Sequence, residues 1–191
     1  MKTFHKIETL PDGRKRAIFR VPTDRGDQFL CTDTESGDFS VVEVDAGHFL
    51  EMWRNDTCEP HRDAAQGSPE TWIKDDRFKD AERGFSYGEP NPVPLALVNC
   101  AIRNETKNVW RRRYLFFREY AGQQIVKRYP YITFTNGITR AVCLLTYGAT
   151  CFPVMCKAEN ADLLQLMAGF SDGRPQTIKA LLDSNKEEWL L

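Results

Sequence analysis

No apolar run in this sequence approaches the ~18 residues that a membrane-spanning helix requires, and its mean hydropathy is −0.49. A bilayer-embedded helical protein is thereby excluded. The six cysteines contain no Cys-x-x-Cys pair, and only three histidines are present to complete a zinc site. No glycine is followed by Lys-Ser or Lys-Thr at the spacing of a Walker A loop, so any phosphate cradle must be built differently. Internal repeats and low-complexity tracts are missing, which removes solenoids and long disordered arms. The opening Met1–Lys6 has neither an apolar core nor a small-residue cleavage site. No secretory signal is therefore expected, and the cytoplasm is the expected compartment. Cys31, Cys58, Cys100, Cys143, Cys151 and Cys156 are then expected as reduced thiols, with Cys151–Cys156 as the alternative redox pair.

What is present suits one globular domain: 191 residues, 41% hydrophobic and 28% charged. The formal net charge of −1 argues against a dedicated nucleic-acid binder. The charge is segregated, however. Residues Arg103–Arg128 hold eight cations against two anions, so this segment carries +6 and the remainder −7. Within it, Arg111, Arg112 and Arg113 lie beside Trp110, Tyr114, Phe116 and Phe117, with Arg118 next in line. Such a segment offers charge for phosphates and rings for stacking on bases. The alternative is a strand whose aromatics face the core and whose arginines are solvated.

The pattern along the chain predicts strands at Arg16–Val21, Gln28–Thr32 and Asp38–Val44, then an Asp45-capped helix through about Arg54. Residues 55–92 read as a long polar excursion with one or two short helices, such as Pro69–Ile73. Val93–Ile102 reads as a strand buried on both faces, with Arg103 at its end. Val109–Tyr120 and Gln124–Lys127 suggest a basic hairpin turning at Ala121-Gly122. Strand Tyr131–Thr135, turn Asn136-Gly137 and helix Ile138–Tyr147, stopped by Gly148, follow in sequence. Strand Cys151–Lys157 and helices Ala161–Phe170 and Gln176–Leu182 complete the reading. The fold class is α+β with a small mixed sheet: N-terminal strands over 1–37, a core over 38–170, and a helix and tail over 171–191.

The chemistry concentrates at Ile132–Ala141. Gly137 permits a sharp turn and a close approach to the backbone. The first-turn N–H groups beyond it are unpaired and favour an anion, and Arg140 adds a permanently charged fork. Asn136, Gly137, Ile138, Thr139 and Arg140 are the expected phosphate-binding residues. Thr135 and Thr139 offer capping hydroxyls, and Ile138, Val142 and Leu145 would hold the helix on the sheet. A lone arginine beside a helix cap would explain the same pattern without a ligand. Asp56, Glu59, His61, Arg62 and Asp63 cluster in the excursion, where a carboxylate could orient water or hold a divalent ion. Glu59, stiffened by Pro60, is the chosen catalytic carboxylate, with Arg103 as a second phosphate contact and a surface ion pair as its rival role.

An apolar strand, G-x-x-R-A, a helix, G-A, and a short strand with F-P-V together resemble the nucleotide-binding core of the ParB/sulfiredoxin superfamily. Gly137 and Arg140 match its G-x-x-R signature. More closely, Phe134–Arg140 with Gly148-Ala149 and Phe152-Pro153-Val154 resembles the plasmid fertility inhibition factors. The likeness is best over residues 92–170, looser over Asp45–Trp53, and does not place residues 1–37. Ile138 stands where sulfiredoxins carry their catalytic cysteine, so sulfinic-acid reduction is not expected. The chain also lacks the second arginine of ParB clamps and room for their helix-turn-helix domain. The closer resemblance implies ATP binding and hydrolysis coupled to DNase activity, with Mg2+ as the expected divalent ion. That activity would block transfer of another plasmid's DNA through a type IV secretion channel. Two alternatives are a non-catalytic inhibitor of a coupling protein or secretion component, and a ParB-like nucleotide-gated DNA clamp.

Overall fold

The structure, a computed structural model, describes residues 1–57, 61–112 and 117–183. It is an α+β fold built on two sheets. Three N-terminal strands, β1 (Phe4–Thr9), β2 (Lys15–Val21) and β3 (Gln28–Cys31), join the two-residue β5 (Val93–Pro94) in the order β1-β2-β3-β5. The first sheet therefore has one strand more than the turn signals predict before residue 37. Phe4–Thr9 was not legible because its residues are mostly half-buried and lack a clean period-two contrast. The second sheet has the order β7-β6-β8-β4-β9. It is formed by β4 (Phe39–Asp45), β6 (Leu97–Arg112), β7 (Arg118–Asn136), β8 (Cys151–Lys157) and β9 (Gln176–Thr177).

Helix α1 (Ala46–Arg54) starts as the sequence dictates: the Asp45 carboxylate accepts from the His48 N–H at 2.8 Å. Its apolar stripe lies on the second sheet, where Phe49 meets Phe134 and Phe152 edge-on at 5.7 and 5.3 Å and Trp53 meets Phe134 at 5.0 Å. The excursion is more ordered than its composition suggests. It holds α2 (Arg62–Ala65), α3 (Pro69–Trp72) and the eleven-residue α4 (Asp76–Ser86). Helix α4 carries its own signals, an Asp75 N-cap and buried Phe78, Ala81 and Phe85, which glycine and proline on either side obscured.

Two strand predictions need correction. Val93–Ile102 is not one strand buried on both faces. The chain breaks at Leu95-Ala96, passing from the first sheet to the second, and β6 then alternates buried Val98 and Cys100 with half-exposed neighbours. The basic hairpin exists, but it does not turn at Ala121-Gly122. Strands β6 and β7 pair from Leu97↔Asn136 out to Arg112↔Arg118, and Gly122 lies opposite Val109 beside a bulge. Backbone freedom at Gly122 serves an irregular ladder there, and a bulge and a turn share the same residue preference.

Helix α5 (Ile138–Thr146), β8 and α6 (Ala158–Ala168) follow, α6 starting three residues earlier than its periodicity indicates. The last described helix, α7 (Ile178–Asp183), is preceded by the short β9 that edges the second sheet. All five described cysteines are free thiols. Cys151 and Cys156 sit five residues apart on one strand, opposite Asp45 and Ser40, about 16 Å of extended chain. A disulfide between them is excluded.

Candidate nucleotide site and the basic hairpin

Strand β7 delivers the chain to Gly137, which adopts φ +86° and serves as the N-cap of α5. Among the described residues no side chain caps this helix, so Thr135 and Thr139 do not play that role. The expected clearance for a ligand at Gly137 is also absent. A Cβ there would lie 2.8 Å from Ala96 Cα and 2.8 Å from Arg140 Nη2, so the space is filled by the residue just before β6 and by the motif arginine itself. Gly137 is required because two backbones meet there.

Helix α5 buries Ala141, Val142, Cys143 and Leu144. Ile138 and Leu145, expected as central anchors, pack only at the margin of that face. Tyr147 locks the far end: its hydroxyl donates to Glu82 Oε1 at 2.8 Å, while Arg25 lies over its ring and 3.0 Å from the same carboxylate. Burial pushes the Tyr147 hydroxyl up from its ordinary value and keeps it a donor.

Arg140 is half-buried and donates to the Pro94 carbonyl. Burial pushes its guanidinium down from the usual value, opposed by the Asp33 carboxylate. Pro94 accepts from one of the five donors in the Arg140 fork. Thr139 and Arg140 line an open hollow of about 440 Å³ together with Val93, Pro94 and, from α4, Arg77 and Asp80. The α4 contribution was missed because the helix itself was missed. Two arginines, a hydroxyl and a helix N-terminus suit phosphate oxygens, and the volume is in the small-ligand range of about 300–1,000 Å³. A divalent ion fits less well. Among the described residues, Asp80 is the one carboxylate lining the hollow, and it is paired with Arg83 at 2.5 Å. Among the described residues no group of three or more His, Cys, Asp or Glu converges on a metal position. Mg2+ here would be held chiefly by the phosphates themselves.

The remaining site residues lie elsewhere. Arg103 does not end a strand; it sits within β6, stacked over Tyr131 at 4.3 Å and donating to Thr57 Oγ1. Six residues of strand separate it from Leu97, about 20 Å from the α5 N-terminus. It approaches the segment after α1 in which Asp56 is buried, and whose Glu59 lies outside the described residues. Arg111, Arg112 and Arg118 occupy the far end of the hairpin, about 50 Å along the strand from Leu97; Arg113 is outside the described residues. Trp110, Tyr120 and Phe117 are 56%, 51% and 71% exposed, so at these positions the aromatics do not face the core.

A mixed two-sheet α+β scaffold with an uncapped, arginine-bearing helix N-terminus and a projecting basic hairpin defines the class. The family model described as plasmid fertility inhibition factor matches residues 41–169, and the chain belongs to that family. Among solved structures it is similar to the crystal structure of an oncogenic suppression activity protein, a plasmid fertility inhibition factor, in its gold(I) cyanide derivative. The TM-score is 0.67 at 20% identity, over 94% of this chain and 82% of that one. No curated protein sequence matches. Among the described residues, no helix is long and apolar enough to cross a membrane.

Proposed function

We propose that this fertility inhibition factor blocks conjugative DNA transfer by acting on the transferring DNA as an ATP-hydrolysing, ATP-regulated DNase. The reading is carried by the hollow at the α5 N-terminus, where Thr139 and Arg140 face Arg77 across a space able to take a nucleotide's phosphates. Free N–H groups of the first turn and a guanidinium in a half-buried setting stabilise developing negative charge on a phosphoryl group better than the same groups in water. DNA is engaged at a distance, along the β6–β7 hairpin. Arg103 at its root donates to Thr57, beside Asp56 in the chain, and Glu59, two residues further along the sequence, is assigned the carboxylate of strand cleavage. Nucleotide turnover and DNA cutting are thus separate sites joined by one strand pair.

The test incubates the purified protein with single- and double-stranded DNA, with and without ATP and Mg2+, and compares it with Arg140→Ala. Loss of ATP turnover with retained thermal stability is expected for the variant. Unchanged hydrolysis, or a wild type that neither hydrolyses ATP nor cuts DNA, refutes the reading. The exposed hairpin favours one second reading, inhibition by occupying DNA or a transfer component without catalysis. In that case the Arg140 variant still blocks transfer.

A further inference from the structure

The β6–β7 hairpin has two chemically different faces. Side chains alternate along a strand, and the pairing irregularities at Glu105/Thr106 and Val109/Trp110 both place the extra residue in β7, at Val126 and Ala121. Strand β6 therefore keeps its alternation. Ile102 and Trp110 continue the face on which Val98 and Cys100 are buried, but they are 48% and 56% exposed because the hairpin has run past the core. On β7, Ile125 opposite Thr106 and Tyr120 opposite Trp110 are equally exposed, and the Trp110 and Tyr120 rings meet edge-on at 5.6 Å. The Asn108–Gln123 side-chain bond at 3.3 Å lies on this same face.

Charge follows the same division. Both carboxylates of the segment belong to the other face, where Glu105 opposes Lys127 and Arg111 opposes Glu119. Among the described residues, the aromatic face carries Arg112, Arg118 and Arg128 and has no carboxylate of its own. Its composition complements a polyanion that also presents flat apolar surfaces. A duplex hides those surfaces inside its base stack; an unpaired strand displays them.

We infer that the aromatic face of the hairpin is a single-stranded DNA platform, with Trp110 and Tyr120 stacking on bases and Arg112, Arg118 and Arg128 holding phosphates. DNA as the target rests on the function proposed above; the choice of face and of the unpaired strand is new. The inference also separates the arginines. Arg118 and Arg128 belong to the platform, whereas Arg111 faces away from it.

The test is fluorescence anisotropy of labelled single-stranded and duplex oligonucleotides, without ATP or Mg2+, on the full-length protein. Trp110→Ala should weaken single-strand binding about tenfold or more, and Trp110→Phe should restore most of it. Arg118→Ala should weaken binding and lower the salt slope by about one, while Arg111→Ala stays within about twofold of wild type. Because these side chains are exposed, circular dichroism should be unchanged in every variant. Equal affinity for duplex, equal losses at Arg111 and Arg118, an unaffected Trp110→Ala, no binding by wild type, or self-association abolished by Trp110→Ala in place of DNA binding would each overturn the inference. Platform binding without cleavage under any condition refutes the nuclease reading alone.

Discussion

Replacing Gly137 with alanine tests whether the motif glycine is held by backbone packing. Two costs combine. A non-glycine residue at φ +86° bears about 1–2 kcal/mol of local strain. The added Cβ would also sit 2.8 Å from Ala96 Cα and 3.0 Å from Ala96 Cβ, contacts that only a shift of β6 can relieve. Overpacking of that kind costs about 1–3 kcal/mol, so the total is about 2–5 kcal/mol. Gly13 provides the internal control, with φ +85° and nothing within 4 Å of its Cβ position. Gly13→Ala should lose only the conformational part, about 1–2 kcal/mol. Urea denaturation of both variants, read by circular dichroism with m-values compared, measures the difference directly. If Gly137→Ala and Gly13→Ala agree within about 0.5 kcal/mol, there is no backbone collision and the space beside Gly137 is open to a ligand after all.

Two further outcomes concern buried polar chemistry. The Glu43 carboxylate, 2% exposed, accepts from the Lys2 and Thr3 N–H groups at 2.9 and 2.6 Å and from the Thr3 hydroxyl at 2.6 Å. Glu43→Ala should cost about 2–4 kcal/mol and release the N-terminal segment, seen as faster amide exchange over β1; unchanged exchange there would remove Glu43 as the anchor. Burial pushes the Cys100 and Cys143 thiols up to about 11 and Cys156 to about 12. A thiol that ionises later in the folded state contributes stability that is intact below pH 9 and lost as pH rises from 9 towards 11–12, because unfolded thiols ionise first. Stability should therefore be flat from pH 7 to 9 and fall above it, more gently in a Cys143→Ala variant. A pH-independent midpoint between 9 and 11 would contradict the burial of these groups.

Local chemistry was legible wherever one stretch of chain contains all its own reasons. The Asp45 cap, the strand at Cys151–Lys157 and the helix starting at Ile138 after Gly137 fall where spacing, cap and turn residues put them, whereas the strand before Gly137 runs back past Tyr131 to Arg118. The charge segregation over Arg103–Arg128 and the family likeness were legible for the same reason, since each resides in contiguous sequence. Helix α4 was in principle readable from Asp75, Phe78, Ala81 and Phe85, but its polar flanks diluted the periodicity.

What the tertiary structure decided depends on groups far apart in the chain. Ala96 closes on Gly137 from forty-one positions away, which makes the glycine a packing requirement. Arg77 reaches the hollow beside Thr139 and Arg140 from a helix that sequence alone did not separate from its loop. A bulge and a turn place the same demands on Gly122, and only pairing with Val109 distinguishes them. Above all, hydrophobic patterning states which residues share a face, not whether anything covers it. The alternation that buries Val98 and Cys100 leaves Trp110 and Tyr120 in water, because the sheet neighbours and helices end before the hairpin does.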